Sequence, residues 1–209
     1  MKNVLIVGGT GNISWPVAKM LAEDKDVNLY LININNNPDG LPDDVNRLTA
    51  NIYTQTDYVK NALKDLTFDS VINFVIMNVD DAKNSVDIFK NKTKQFIFIS
   101  TVDVLDHRIT CNVNEEMKRG NQFYDYGQNK EAAELFLLEE AKKGFPLTIV
   151  RPTQTYSKGR IPLSIKGKSC WSVVSRMIRG KEVIIHGDGQ GVWACTHAND
   201  FAPLFCSLV

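Results

Sequence analysis

No sign of charge dominates this chain. Its 24 Lys and Arg balance 24 Asp and Glu, the formal net charge is zero, and no basic block stands out. A surface that grips nucleic acid electrostatically is basic, so no nucleic-acid partner is expected. No apolar run approaches the roughly 20 residues of a membrane-spanning helix. The 4 cysteines, Cys111, Cys170, Cys195 and Cys206, are scattered, without CxxC or Cys/His ligand spacing. They read as reduced thiols in a cytoplasmic protein rather than a disulfide framework. None of His107, His186 and His197 has a partner at metal spacing, so no metal is expected. Met1-Lys2 runs straight into an apolar stretch, leaving no room for a signal peptide. Low complexity is confined to Asn35-Asn36-Asn37, and no internal repeat is present.

What is there is ordinary globular composition, 44% hydrophobic and 23% charged over 209 residues. That length suits one well-buried domain and part of a second. The most informative stretch is the first. Val4-Leu5-Ile6-Val7 is a β-branched, uncharged run, and Gly8-Gly9-Thr10-Gly11-Asn12-Ile13-Ser14 follows at once. A helical pattern then begins, with Trp15, Val17, Ala18, Met20 and Leu21 as apolar members. Strand, glycine turn and helix are the context of a dinucleotide-binding loop. Gly8 permits the tight turn, and Gly11 lets the backbone approach a pyrophosphate that the helix N-terminus would face. Ser14 stands at the third glycine place of a GxxGxxG spacing, where its small side chain should be tolerated.

Further on, Val27 to Asn33 reads as a second strand, with Asn33 where an acidic residue usually meets the adenosine ribose. Asn can hold a hydroxyl but supplies no bidentate carboxylate, and no Arg is near to welcome a 2′-phosphate. NAD or NADP both remain open, with a lean to NAD. Weaker strand character follows at Val45 to Ala50, then a helix over Thr56 to Leu66. Val71 to Met77 reads as a central strand, Asp80 to Lys90 as a helix and Gln95 to Ile99 as a strand ending in Ser100-Thr101. The longest helical pattern runs from Tyr124 to Lys143, with Ala133, Leu135, Phe136, Leu138 and Ala141 as its apolar side. Gly144 stops it, and Pro146 to Val150 is a sixth strand. This alternation predicts an α/β fold, a doubly wound parallel sheet. Residues 1–152 form the expected nucleotide-binding domain, and 153–209 a small, apparently incomplete lobe. That lobe holds a helix near Trp171 to Arg179, a strand at Val183 to Ile185, and Trp171 and Trp193 as core. Its apolar end, Phe201 to Val209, has no polar cap, which suggests truncation.

Tyr126 and Lys130, four residues apart, share a helix face, as on an ordinary solvated helix. Their placement one helix after a strand ending in Ser100-Thr101 gives the pair a second meaning. Together with the glycine loop, Phe98-Ile99-Ser100-Thr101, Tyr126-Gly127-Gln128-Asn129-Lys130, Arg151-Pro152 and His197-Ala198-Asn199-Asp200, it resembles the extended short-chain dehydrogenase/reductases. The specific likeness is to the NAD-dependent epimerase/dehydratase group, in an uncharacterised bacterial branch, over essentially the whole chain.

That resemblance implies Tyr126 as general acid/base, its pKa of about 10 lowered by Lys130 and a cationic nicotinamide. Lys130 would also bind the nicotinamide ribose, and Thr101 would bond the oxygen that becomes a carbonyl. Gly8, Thr10, Gly11, Asn12, Ile13, Asn33, Asn51, Ile52 and Pro152 would contact the cofactor, and Gln154 the substrate. The implied activity is hydride transfer at a hydroxyl or carbonyl carbon of a sugar-like or nucleotide-sugar substrate. The departures narrow it. Val102-Asp103 replaces the Asp-Glu that follows the Thr in dehydratases, which disfavours loss of water by that route. Gly191-Val192-Trp193-Ala194 lacks the Arg that grips diphosphate in sugar-nucleotide epimerases. Arg160, Lys166, Lys168 or Arg179 could substitute. His197 and Asp200 would tie the lobe to the nucleotide domain. Family members often dimerise through the long helix, so a homodimer is compatible. The alternative is a non-catalytic relative that senses nucleotide or binds RNA.

Overall fold

The structure, a computed structural model, describes residues 1–35, 40–106, 108, 113–162, 171–185, 187–191 and 193–209. Cys111, Cys170, His107, His186, Lys166 and Lys168 therefore lie outside the described residues. Six parallel strands form the main sheet: β1 (Lys2–Val7), β2 (Val27–Asn33), β3 (Asn46–Thr49), β4 (Ser70–Asn73), β5 (Phe96–Ile99) and β6 (Leu147–Val150). Their order is β3-β2-β1-β4-β5-β6. The order reverses between β1 and β4, the switch point at which open α/β sheets bind ligands.

Strand alternation splits the core in two. Val4 and Ile6 of β1 face helix α1 (Ser14–Glu23) through Val17, Ala18 and Leu21. Leu5 and Val7 face the opposite layer, made by α2 (Thr56–Ala62), α3 (Val79–Phe89) and α4 (Asp125–Lys142). The expected doubly wound sheet is thus the observed one.

Beyond β6, β7 (Gln154–Tyr156) pairs in parallel with β8 (Cys195–His197), and α5 (Trp171–Ile178) lies between them in sequence. The chain ends in α6 (Ala198–Cys206), and several details here depart from the sequence reading. The apolar segment 201–209 is covered in part: Ala202 and Phe205 join the core layer shared with α1, while Leu204 and Leu208 stay exposed. Residues 183–185 form no strand, and Ile184 and Ile185 are exposed. Trp171 and Trp193 are not core; each is 60% exposed. The fourth strand stops at Asn73, whose side-chain oxygen accepts from the Val75 N–H at 2.9 Å and turns the chain early. On α4 the buried face is Gly127, Lys130, Ala133, Glu134 and Leu137, while Leu135 is exposed. Ala133 and Leu137 pack into the sheet.

Candidate active site

The glycine loop leaves β1 at the switch point and turns there because Gly8 adopts φ +81°, open to glycine at no steric cost. A Cβ at Gly8 would also lie 2.4 Å from Val75 Cγ1. Ser14 does more than fit. Its hydroxyl donates to Gly8 O at 2.6 Å and accepts the Gly11 N–H at 2.8 Å, bracing the loop across its own width. The Asn12 and Ile13 N–H groups find no acceptor among the described residues, and Ile13, the N-cap of α1, makes no side-chain cap bond. These are free donors at the positive end of a helix, where an anion is favoured. Thr10 is exposed at the loop tip.

Asn12 reaches out of this loop. Its Nδ2 donates to Thr155 Oγ1 on β7 at 3.3 Å, so the loop is tied to the small sheet. Its Oδ1 is buried without a partner. At the end of β2, Asn33 accepts the Gly9 N–H at 2.8 Å through Oδ1, and its Nδ2 is also buried without a partner. Native interiors rarely leave such atoms unpaired. Two orphaned polar atoms beside free loop N–H groups fit a dinucleotide lying along the carboxyl edge of the sheet.

Asn51 turns the chain after β3, its Oδ1 accepting from the Tyr53 and Thr54 N–H groups. Ile52 is 3% exposed and belongs to the core, so any cofactor contact from it is by backbone or by shape.

The Tyr/Lys helix meets this edge from the other side. Lys130 is 2% exposed; its Nζ donates to Ile99 O at the end of β5, at 2.9 Å, and to Ile76 O after β4. Burial pushes its pKa down to about 8, with Asp81 and Glu134 opposing. Its Nζ also stands 5.0 Å from the Phe98 ring centroid and 5.7 Å from that of Tyr126.

Tyr126 is 36% exposed at the mouth. Its phenol is held above the usual value, first by burial and then by the charges of Asp103 and Tyr124, with Arg160 opposing. The family likeness implies a lowered phenol once Lys130 and a nicotinamide act on it together; in the protein alone, burial and Asp103 hold it up.

Thr101, 7% exposed, caps the 3-10 turn Val102–Val104 by accepting the Asp103 N–H at 3.2 Å. Its hydroxyl proton stays available. Val102 N donates to Pro152 O at 3.2 Å, which sets the end of β6 beside that turn. Gln154 opens β7 immediately beyond. His197 accepts the Asn199 N–H through Nδ1 at 3.2 Å and lies edge-on to Tyr156 at 5.1 Å, so it organises the junction of β7, β8 and α6.

Two supports escaped the sequence reading. Gly127 packs so tightly on the 3-10 turn that a Cβ there would fall 2.3 Å from Asp103 O. One turn beyond Lys130, Glu134 is fully buried and receives a two-pronged Arg151 (2.8 and 2.7 Å) and Arg119 Nε (2.9 Å). Burial alone would raise the Glu134 carboxyl, but the arginine hydrogen bonds outweigh it and hold its pKa low. The spacing Tyr126, Lys130, Glu134 repeats at i, i+4, a signal the sequence did contain.

The model of the NAD dependent epimerase/dehydratase family matches residues 4–209. The chain belongs to that family. Solved structures similar to this family member include a UDP-N-acetylglucosamine 4-epimerase from Methanobrevibacter ruminantium M1 in complex with UDP-N-acetylmuramic acid. That likeness has TM-score 0.76 and 19% identity, over 97% of this chain and 71% of that one. A UDP-glucuronic acid 4-epimerase from Bacillus cereus, in complex with UDP-glucuronic acid and NAD, matches at TM-score 0.75 and 18% identity, over 99% and 73%. A dTDP-glucose 4,6-dehydratase from Bacillus anthracis str. Ames, in complex with NAD, matches at 0.73 and 19%, over 99% and 70%. At these identities the likeness shows the Rossmann fold. No curated protein sequence matches significantly. Among the described residues of this family member no helix is long and apolar enough to cross a membrane.

Proposed function

We propose that the chain is an NAD(P)-dependent oxidoreductase or epimerase acting at a hydroxyl or carbonyl carbon of a sugar-like substrate, with Tyr126 as acid/base. The observation that carries this reading is the juxtaposition at one sheet edge. An open phenol stands one helical turn from a buried ammonium, beside a loop that offers unpaired N–H groups.

The loop donors of Asn12 and Ile13 would hold the diphosphate, and Lys130, already anchored on two carbonyls, would hold the ribose next to the reacting ring. When bound, the dinucleotide supplies the hydride chemistry. Everything else falls to this chain. Thr101 donates its hydroxyl proton to the substrate oxygen, its own acceptor capacity engaged by the Asp103 N–H. Tyr126, with its pKa raised, holds its proton and is ready to give it to a carbonyl oxygen. In the reverse direction it takes the proton of the hydroxyl. Pro152, two residues before the second sheet, and Gln154, which opens it, would flank the reacting carbon. Val102 has no proton to give, so elimination of water is not the activity proposed.

Supporting this reading are the family membership and the NAD named in two of the similar structures. Calorimetric titration with NADH and NADPH tests it directly. Saturable binding of at least one is expected, and binding of neither would end the proposal.

A further inference from the structure

Next to the Tyr126 mouth the surface falls into a cavity of about 280 Å³. Among the described residues its walls are Asp106, Arg108, Asn121, Phe123 and Tyr124. The chain brings them together by pairing back on itself. Leu105 bridges Arg119 in antiparallel fashion, and Asp106 N donates to Lys118 O at 2.8 Å. The segment leaving Thr101 therefore runs alongside the segment entering α4. Both walls adjoin the proposed catalytic groups: Asp106 follows Thr101 by five residues, and the Tyr124 ring lies 5.7 Å from that of Tyr126.

The charge in this cavity is cancelled from within. Asp106, 5% exposed, accepts from Arg108 Nε and Nη2, both at 2.7 Å, in the two-pronged pairing of guanidinium with carboxylate. Arg108 Nη1 turns to Gln122 Oε1 at 3.3 Å, and the guanidinium lies 5.8 Å from the Phe123 ring centroid. A phosphate or carboxylate entering here has to draw Arg108 away and strand a buried carboxylate, which is strongly unfavourable. A neutral ligand meets no such opposition. It meets the remaining lone pairs of Asp106 and the Asn121 amide, whose oxygen accepts the Phe123 N–H at 3.0 Å and whose nitrogen remains to donate. It also meets two open rings, Phe123 at 78% and Tyr124 at 53% exposure. Bare rings beside convergent polar groups suit a ligand with an apolar face and a polar rim. A pyranose has that make-up, with C–H groups on its face and hydroxyls around its edge. A nucleobase also stacks, but a nucleotide brings its phosphates with it.

Resting on the function proposed above and narrowing its substrate, we propose that this cavity is a carbohydrate subsite. An uncharged pyranose stacks on Phe123 and Tyr124, its hydroxyls bonded by Asp106 and Asn121, so that the substrate is a free or glycosidically linked sugar rather than a nucleotide sugar.

Saturation-transfer NMR on the protein, with and without NADH, tests this. The probes are methyl glucoside, methyl galactoside, N-acetylglucosamine and lactose, with UDP-glucose as the charged comparison. At least one neutral sugar should bind, with an affinity unmoved by about tenfold more salt, which screens ionic contacts. Phe123→Leu, which keeps apolar bulk but removes the ring, should weaken that sugar about tenfold, or about 1.4 kcal/mol. Phe123→Tyr restores a ring and should restore the affinity. Phe123 is exposed, so neither change threatens the fold. Binding of none of the neutral sugars overturns the inference, as does an affinity indifferent to Phe123→Leu. So does UDP-glucose binding to the NADH-loaded protein more than about tenfold tighter than every neutral sugar. Failure of both NADH and NADPH to bind ends the function proposed above, and is read separately from sugar binding to the unloaded protein.

Discussion

Glu134→Gln is the sharpest probe of how the active-site helix is held. Glu134 is fully buried and joins three segments: its own helix α4, Arg151 at the end of β6, and Arg119 in the chain leading to α4. The Arg151 side chain is 13% exposed, so its charge has little water to fall back on. Removing the carboxylate leaves two guanidinium groups facing a neutral amide that can accept but also donates. Breaking a buried pair of this kind costs about 3–5 kcal/mol. Total stabilities run at about 5–15 kcal/mol, so the loss is a large fraction. In a chain of this length it corresponds to a midpoint lower by roughly 10 °C. Arg151→Ala should cost more than Arg119→Ala, whose side chain is 30% exposed.

The pH dependence carries a sign. The Glu134 carboxyl is held low in the folded state, so its contribution is present above the unfolded value of about 4.3. It is lost as pH falls through the depressed folded value. Urea denaturation of wild type and Glu134→Gln from pH 7 downwards should show a gap that narrows only in acid. A gap below about 1 kcal/mol at pH 7, the range of surface pairs, refutes this account of the triad.

Three further outcomes follow from particular contacts. Gly127→Ala would raise helix propensity by about 1 kcal/mol on an open helix; here the Cβ meets Asp103 O, so denaturation should show net destabilisation, with turnover reduced. Ser14→Ala strands Gly11 N–H and Gly8 O, costing about 1–3 kcal/mol in urea unfolding. Lys130 has a folded pKa of about 8, below its unfolded value of about 10.4. The unfolded chain therefore binds more protons in between, and the stability of wild type relative to Lys130→Met should rise from pH 8 to 10, by at most about 3 kcal/mol.

The sheet was legible in the sequence because parallel strands buried on both faces must be apolar throughout, as in Val4 to Val7 and Phe96 to Ile99. The glycine loop was legible because backbone geometry there tolerates so few residues. The small-lobe errors have a common cause. Val183 to Ile185 and the two tryptophans are apolar without period, and composition alone cannot tell a buried segment from an exposed one. The burial of Ala202 and Phe205 was not legible because their partners, on α1 and β1, lie at the far end of the sequence. The Glu134 clamp stayed hidden for the same reason: a helix-face carboxylate usually meets solvent, and only the fold brings Arg119 and Arg151 to it. The place of Thr101, Tyr126 and Lys130 at one sheet edge follows from strand order, which local pattern does not encode.

Central to the account is a phenol that moves a proton beside a dinucleotide it does not itself bind. Tyr126→Phe measured in one preparation for both dinucleotide affinity and turnover tests this most directly. Affinity within about threefold of wild type with turnover reduced at least a hundredfold is the predicted result, in line with the 10²–10⁴ contribution of acid/base groups. Turnover at the wild-type rate in a variant that still binds the dinucleotide would contradict it.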